Sequence, residues 1–346
     1  MQTDLERYSK QVLFAELGEA GQRKLLSSRV FLCGCGALGT VLAETLVRAG
    51  VGFVRIVDRD FVEMSNLQRQ VLFDEQDVAD HLPKAICAAA KLARINSSVV
   101  IEPIVADVDY TNVLSFCDGV DLILDGTDNF EVRFLLNDAA LETGIPWVYA
   151  GVIGSHGQTM PIFPGETGCL RCLMGQVPDP GAIETCDTAG VLGAAVNIVS
   201  SLAAVDAMKI LSGKRDRVTP VLTAIDVWEG TFRRLNVGEL REKSDCPACK
   251  KGERLWLSGK EGSQSTVLCG RNAVQVSPPK RGAILLDQMA ARLRESGTVT
   301  HNPYLLKLEL RDPDFEVTVF RDGRAIIKGT DDVTVARGIY SRYIGS

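Results

Sequence analysis

Apolar residues arrive in two rhythms along this chain. In the first half, short β-branched runs alternate with segments whose apolar positions recur at helical spacing. Arg29–Cys33 and Phe53–Val57 read as strands, and Thr40–Ala49 between them reads as a helix ended by Gly50. The series continues with a helix over Pro83–Ile95, strands over Val99–Val105 and Val120–Leu124, a helix over Phe130–Glu142 stopped by Gly144, and a strand over Trp147–Val152. This alternation predicts an α/β fold: a Rossmann-like, doubly wound and mostly parallel sheet.

After Gly154 the rhythm breaks. Short extended pieces and loops rich in Pro and Gly run to about Asp187. An apolar segment then covers Val191 to Leu211, with strands near Val221–Val227 and Phe232–Val237. Polar residues around Lys243–Ser265 mark a boundary. Beyond it, Val317–Phe320 and Ala325–Ile327 alternate around Asp322-Gly323, a hairpin signal. Asp331 or Asp332 is expected to cap a last helix carrying Val335, Ile339 and Tyr343 along one side. The expected division is a large unit over 1–255 and a small α+β appendage over 265–346.

With 346 residues the chain has enough length for both units. A net charge of −6 argues against nucleic acid as the main partner. The opening MQTDLERYSK is acidic and has no apolar stretch, so no secretory signal is read there. The segment Val191–Leu211 is long enough to raise a membrane question. However, Asn197, Ser200, Ser201, Asp206 and Lys209 within it favour a buried or dimer-interface helix. No membrane partner and a cytoplasmic location are the expectations. In a reducing compartment the ten cysteines are not a disulfide framework. Cys33, Cys35, Cys87, Cys117 and Cys269 lie in apolar contexts and read as core fillers.

Candidate chemistry begins at CGCGALG, residues 33–39, where Gly34, Gly36 and Gly39 form G-x-G-x-x-G between a strand and a helix. Asp58, ending the second strand, stands where an acidic residue would meet ribose hydroxyls. These residues predict an adenosine site without choosing between NAD and ATP. SNLQRQ (65–70) and Lys84 in LPKA follow closely, and their Arg69 and Lys84 suit a triphosphate and a departing pyrophosphate. DGTDN, 125–129, closes another strand at its ligand-binding end. Its two carboxylates suit Mg²⁺ bridging phosphates; the competing reading makes Asp125 or Asp128 the cap of a helix starting at Asn129. No P-loop is present. Cys169-x-x-Cys172 and Cys246-x-x-Cys249 form a set suited to tetrahedral zinc, against a redox pair or buried thiols.

RYSKQ (7–11), CGCGALG, VDRD, SNLQRQ, LPKA, DGTDN, CLRC, TCDTAGV (185–191) and DCPAC (245–249) occur in an order that resembles the ThiF/MoeB/HesA family, bacterial relatives of ubiquitin-activating enzymes. The resemblance covers about residues 5–250. The tail, with STVLCGRNAVQV, HNPYLLKLEL and FRDGRAIIKGTDD, resembles the extension of longer ThiF-type adenylyltransferases of thiazole biosynthesis in Gram-positive bacteria.

The resemblance implies an E1-like, ATP-binding adenylation domain over 1–255 with a four-cysteine zinc site. Its implied partner is a small β-grasp sulfur carrier ending in Gly-Gly: ThiS, or MoaD in molybdopterin synthesis. The carrier carboxylate is adenylated, pyrophosphate leaves, and a sulfur donor such as a cysteine desulfurase serves the later step. The implied cofactors are ATP, Mg²⁺ and Zn²⁺, and the implied assembly is a homodimer. Position by position, Gly34, Gly36, Ala37, Gly39 and Asp58 form the nucleotide loop and ribose ligand. Ser65, Asn66, Arg69 and Lys84 resemble the phosphate set, and Asp128 the Mg²⁺-binding and catalytic carboxylate. Lys10 stands where the family usually has an Arg reaching into the neighbouring subunit's site; it keeps the charge and loses the paired fork. Cys186 matches a thiol that bonds to carrier or sulfur.

Two other classes compete. An NAD-dependent oxidoreductase fits the glycine loop but explains neither SNLQRQ nor the CxxC pairs, and His81, His156 and His301 stand in no catalytic motif. A non-catalytic scaffold for a ubiquitin-like partner has no need of Arg69, Lys84 and Asp128.

Overall fold

The computed structural model describes residues 3–175, 190–261, 265–268, 270–277, 284–294, 296–311 and 314–344. The chain forms two compact units, Met1–Glu261 and Gly262–Ser346.

The first unit is built on eight strands: β1 Arg29–Cys33, β2 Phe53–Asp58, β3 Val100–Val105, β4 Leu122–Asp125, β5 Trp147–Ile153, β6 His156–Ile162, β7 Val221–Asp226 and β8 Thr231–Asn236. They lie in the order β3-β2-β1-β4-β5-β6-β7-β8. The first five positions pair in parallel and the last three are added antiparallel. The longer described helices that pack on this sheet or beside it are α1 Gly18–Ser27, α2 Ala37–Ala49, α3 Lys84–Ile95, α4 Phe130–Thr143 and α5 Gly193–Leu211. Alternate residues of β1 enter different cores. Val30 and Leu32 join the core that holds residues of α2, α3 and α5, whereas Phe31 and Cys33 join the core that holds residues of α4. Burial on both faces is why β1 reads as a continuous apolar run.

Strand β6 is one of the short extended pieces expected after Gly154. Its sequence, HGQTMPI, contains Gly157 and Pro161 and carries little strand signal. Pairing rescues it: the strand forms a hairpin with β5, and its rungs to β7 stop at Thr159. Pro161 lies past the last of those rungs, so its missing N–H costs that ladder nothing.

Helix α5 is the one described helix long and apolar enough to cross a membrane by composition. Its Ala195, Val196, Val199, Ala203, Ala204 and Ala207 are buried in the core shared with α2 and the sheet. These small side chains let it lie close to α2, where Ser200 Oγ donates to Leu38 O at 3.3 Å. Ile198 and Val205, on the outer face, are exposed.

The second unit has six antiparallel strands: β9 Ser265–Leu268, β10 Ala273–Val276, β11 Thr298–His301, β12 Leu305–Arg311, β13 Asp314–Phe320 and β14 Ala325–Lys328. Their order is β11-β12-β13-β14-β10-β9. Helices α6 Leu286–Leu293 and α7 Val333–Tyr343 share a core with alternate strand residues, among them Leu306, Leu308, Val317 and Val319. Asp322-Gly323 turns β13 into β14, with Gly323 at φ +88°. Asp332 is the acidic residue that caps α7, through its Oδ1 and Val335 N at 3.3 Å. The buried side of α7 differs from the expected one. Ala336 and Tyr340 face the core, with Ile339 and Tyr343 beside them, while Val335 is exposed.

Candidate nucleotide site and cysteine cluster

The glycine loop is positioned by contacts too close for any side chain. Gly34, at φ +89°, donates its N–H to Val57 O at 2.8 Å, and Gly126 donates to Cys33 O at 2.8 Å. A Cβ on Gly39 would sit 2.1 Å from Gly34 O; one on Gly126 would sit 2.5 Å from the same oxygen and 2.9 Å from Gly39 Cα. The three glycines therefore stack and bring CGCGALG against DGTDN. Gly36 is different: a Cβ there would meet only Gln70 Nε2 at 3.8 Å. It caps α2 and leaves the helix N-terminus, with half-buried Ala37 as its first residue, open to an anion.

Asp58 locks this loop from the end of β2. Its Oδ2 accepts Cys35 N–H at 2.6 Å and its Oδ1 accepts Asp60 N–H at 2.7 Å. Burial pushes the carboxyl up from its ordinary value, opposed by the Lys84 charge and the two N–H donors. Lys84 opens α3 and is buried, with Nζ 3.3 Å from Asp60 Oδ2. Arg59 bridges Asp107 Oδ1 at 2.9 Å and lies 3.7 Å from Asp60 Oδ1. Sequence reasoning passed over Arg59, Asp60 and Asp107, although two of them sit in the quoted VDRD; only the fold pairs them with Lys84 and with one another.

SNLQRQ forms a tight turn on the same side. Asn66 is buried and its Oδ1 accepts Glu63 N–H at 3.3 Å; Ser65 is exposed; Arg69 is half-buried and donates to Ser65 O at 2.8 Å. The first residue of α5 packs on this turn, a Cβ on Gly193 falling 3.0 Å from Gln68 O. Gln70 went unnoticed in the sequence. It is 3% exposed, its Oε1 has no partner among the described residues, and it lies beside Gly36. A buried amide oxygen at the lip of a polar site can accept from a ligand or water there.

The structure overturns the cap reading of DGTDN and gives its two carboxylates different surroundings. Asp125 is fully buried; its Oδ1 accepts Thr127 N–H at 2.9 Å and Thr127 Oγ1–H at 2.7 Å, and its Oδ2 accepts Arg133 Nε–H at 3.2 Å. The cap of α4 is Asn129, whose Oδ1 accepts Glu131 N–H at 2.8 Å, so the helix begins at Phe130. Asp128 is exposed between these two anchored residues, and its charge is felt by Arg59.

Lys10 lies on an exposed helical turn, Ser9–Val12. That turn is tied down by its neighbours. Tyr8 OH accepts Asn96 Nδ2–H at 2.8 Å, and Tyr8 fills the space above Gly50, where a Cβ would sit 2.5 Å from its ring. Cys186 lies outside the described residues.

The two CxxC pairs meet. Sγ atoms of Cys169 and Cys246 are 3.7 Å apart, Cys169 and Cys172 3.9 Å, Cys172 and Cys249 3.4 Å, and all four lie within 4.8 Å of one another. A tetrahedron with zinc–sulfur bonds of about 2.3 Å has edges of about 3.8 Å. The donor set and its spacing fit zinc. Hydrogen bonds among the sulfurs raise the Cys169 thiol and lower that of Cys172; all four can be thiolates only around a cation. Ser244 Oγ, 3.4 Å from Cys172 Sγ, supports the set from outside. In contrast, burial raises Cys33, Cys35, Cys87 and Cys117, the last two to about 12, as inert core thiols.

A parallel sheet with stacked glycines and a carboxylate at its strand ends defines an α/β nucleotide-binding protein, here carrying a thiolate cluster. More particularly, the ThiF family model matches residues 8–248, and the chain belongs to that family. A sulfur carrier protein ThiS adenylyltransferase of Bacillus subtilis is 43% identical over 340 residues, covering 98% of this chain and 99% of that one. A SAMP-activating enzyme E1 of Haloferax volcanii is 40% identical over 250 residues, 72% of this chain and 90% of its own. Among solved structures, E. coli MccB with ATP aligns with a TM-score of 0.60 at 23% identity, over 71% of this chain and 74% of that one, a likeness of fold.

Proposed function

We propose that this protein is an ATP-dependent adenylyltransferase that activates the C-terminal glycine carboxylate of the sulfur carrier ThiS for thiazole biosynthesis. One observation carries the reading: Asp58, Lys84 and the loop of Asp128 converge on the stacked glycines, in a chain 43% identical along 98% of its length to a ThiS adenylyltransferase.

The geometry supports a division of labour. Each Asp58 oxygen already accepts one N–H, and a carboxylate has lone pairs left for ribose hydroxyls. The open N-terminus of α2 at Gly36 and Ala37 receives phosphate, and Ser65, Asn66 and Arg69 line its side. Lys84, held beside Asp60, offers its charge to the phosphates. An oxygen of the carrier carboxylate attacks the α-phosphorus. The bond to the bridging α–β oxygen breaks, and pyrophosphate leaves with the electron pair; Arg69 and Lys84 stabilise the charge it gains. Asp128 is the carboxylate free to hold Mg²⁺ together with phosphate oxygens, and the ion would neutralise charge on them. Zinc on Cys169, Cys172, Cys246 and Cys249 is structural, since four thiolates leave no open position.

Sulfur transfer from a donor such as a cysteine desulfurase would engage Cys186. The free thiols among the described residues suit a reducing cytoplasm. The reading includes a homodimer in which Lys10 serves the neighbouring site. Leu13 and Phe14 beside it are 75% and 62% exposed, and Ile198 and Val205 on α5 are 43% and 49% exposed, which supports a covered surface. A monomer by light scattering at micromolar concentration would remove the dimer.

The test is ATP–pyrophosphate exchange with ThiS or MoaD, each with and without its last glycine. Exchange that needs ThiS and its terminal glycine is the expected result. A preference for MoaD would move the assignment to molybdopterin, and no exchange with either would end the activating-enzyme reading for these carriers.

A further inference from the structure

Arg133 lies inside α4, one turn below its N-terminus, and is 6% exposed. Its guanidinium is the hub of the segment that carries Asp128. Nε donates to Asp125 Oδ2 at 3.2 Å, while Nη2 donates to Thr127 O at 2.6 Å and to Ala150 O at 3.2 Å. The plane lies 5.0 Å from the Phe130 ring and 5.4 Å from the Tyr149 ring. One side chain thus joins the end of β4, the DGTDN loop, the first turn of α4 and β5. It sits close to residue 151, where a Cβ would fall 3.3 Å from Nη2 and 3.0 Å from the Tyr149 hydroxyl.

The consequence for Asp128 follows from its neighbours. Thr127 is held at its N–H and Oγ1 by Asp125 and at its carbonyl by Arg133. Asn129 is held by its own cap. Both residues flanking Asp128 are pinned, so the exposed carboxylate projects from a fixed stretch of backbone. Asp125 commits its hydrogen bonds to the loop; burial pushes its carboxyl up, and the Arg133 charge opposes that rise.

We infer that Arg133, acting through Asp125 and Thr127, is a positioning residue for the adenylation step, fixing where Asp128 meets the metal-bound phosphates. The inference rests on the adenylyltransferase reading. Lysine at 133 can keep the charge on Asp125 but cannot also reach the Thr127 and Ala150 carbonyls from one planar fork. A loosened loop displaces Asp128 without removing it, and displacements near 1 Å cost about 100-fold in rate.

The experiment compares wild type with Arg133→Lys and with the paired Arg133→Leu/Asp125→Asn variant, which leaves no buried charge unmatched. Three readouts are taken: the melting temperature, kcat and KM for ATP in carrier-dependent exchange, and amide hydrogen exchange across residues 125–130. The expected result for Arg133→Lys is a kcat lower by about 10- to 100-fold with KM for ATP within about threefold. Amide exchange would be faster at 126–129 and unchanged elsewhere, and the paired variant would fold and share the kcat loss. An unchanged kcat, or a loss that follows the folded fraction with no local change in amide exchange, overturns the inference. If the wild type itself shows no carrier-dependent exchange, the functional reading fails. The brace is then judged by amide exchange alone: faster exchange confined to 126–129 supports it, and an unchanged pattern overturns it.

Discussion

The Asp58 carboxylate and the Cys35 amide lie 2.6 Å apart, oxygen to nitrogen, so the residue read as the ribose ligand also holds the glycine loop shut. In the proposed function, binding and folding share one side chain. Asp58→Ala is expected to leave the N–H groups of Cys35 and Asp60 without their acceptor, lowering stability by about 1–3 kcal/mol. The affinity for ATP should fall at least about tenfold if one hydrogen-bonded contact worth about 1.4 kcal/mol is lost. Urea unfolding and calorimetric ATP titration read the two effects separately, and a variant with native stability would mean that the loop stands without Asp58.

The glycines divide into two kinds. Gly39→Ala places a methyl carbon 2.1 Å from Gly34 O and must push the CGCGALG and DGTDN loops apart; a loss of about 2–3 kcal/mol or more is expected. Gly36→Ala meets nothing closer than 3.8 Å and should fold normally while weakening nucleotide binding at the helix N-terminus. Thermal melts with and without ATP distinguish them. Equal stability of the two variants would mean that the stacked contact relaxes freely.

Zinc should be present at one ion per chain in protein purified without chelator, by elemental analysis. Cys169→Ser removes a sulfur that contacts both CxxC pairs, through Cys172 and Cys246. Loss of the metal and a fall of about 5–15 °C in melting temperature are expected, at about 2–4 °C per kcal/mol for a unit of this size. Full zinc content in that variant would exclude Cys169 as a ligand.

Asp138, buried in α4, accepts the N–H groups of Trp256 at 3.0 Å and Leu257 at 3.4 Å through one oxygen, while the other has no partner among the described residues. Burial raises its carboxyl above the ordinary value of 3.8. The folded state therefore holds this proton more tightly than the unfolded chain, and unfolding releases it at pH values between the two. The contribution of Asp138 is most favourable below 3.8 and declines as pH rises through the folded value. Asp138→Asn keeps an acceptor and removes the charge. It should be more stable than wild type at neutral pH, where the buried carboxylate is charged. The difference should close on acidification. Melting curves across pH check the sign; a gap that widens in acid would reverse it.

Much of the fold and several site motifs were legible in the sequence because they rest on local rules. The period of apolar residues marked β1, β2 and the helix between them to within a few residues. Gly50 and Gly144 ended helices because each takes a left-handed conformation, at φ +87° and +73°. The glycine spacing, the acidic end of β2 and the paired cysteines are short-range patterns, readable without coordinates.

Tertiary structure decided what depends on distant partners. Strand β6 exists because β5 and β7 supply its hydrogen bonds, not because HGQTMPI favours extension. Asp125 and Asp128 look equivalent in DGTDN; only burial, Thr127 and Arg133 make the first a brace and leave the second exposed. The links of Arg59 to Asp107 and of Lys84 to Asp60, and the meeting of cysteines 77 positions apart, arise when the fold brings remote segments together. Side-chain type and spacing determined which chemistry was available, and packing determined which copies of it face a ligand, because burial and pairing are properties of the whole fold rather than of any short stretch.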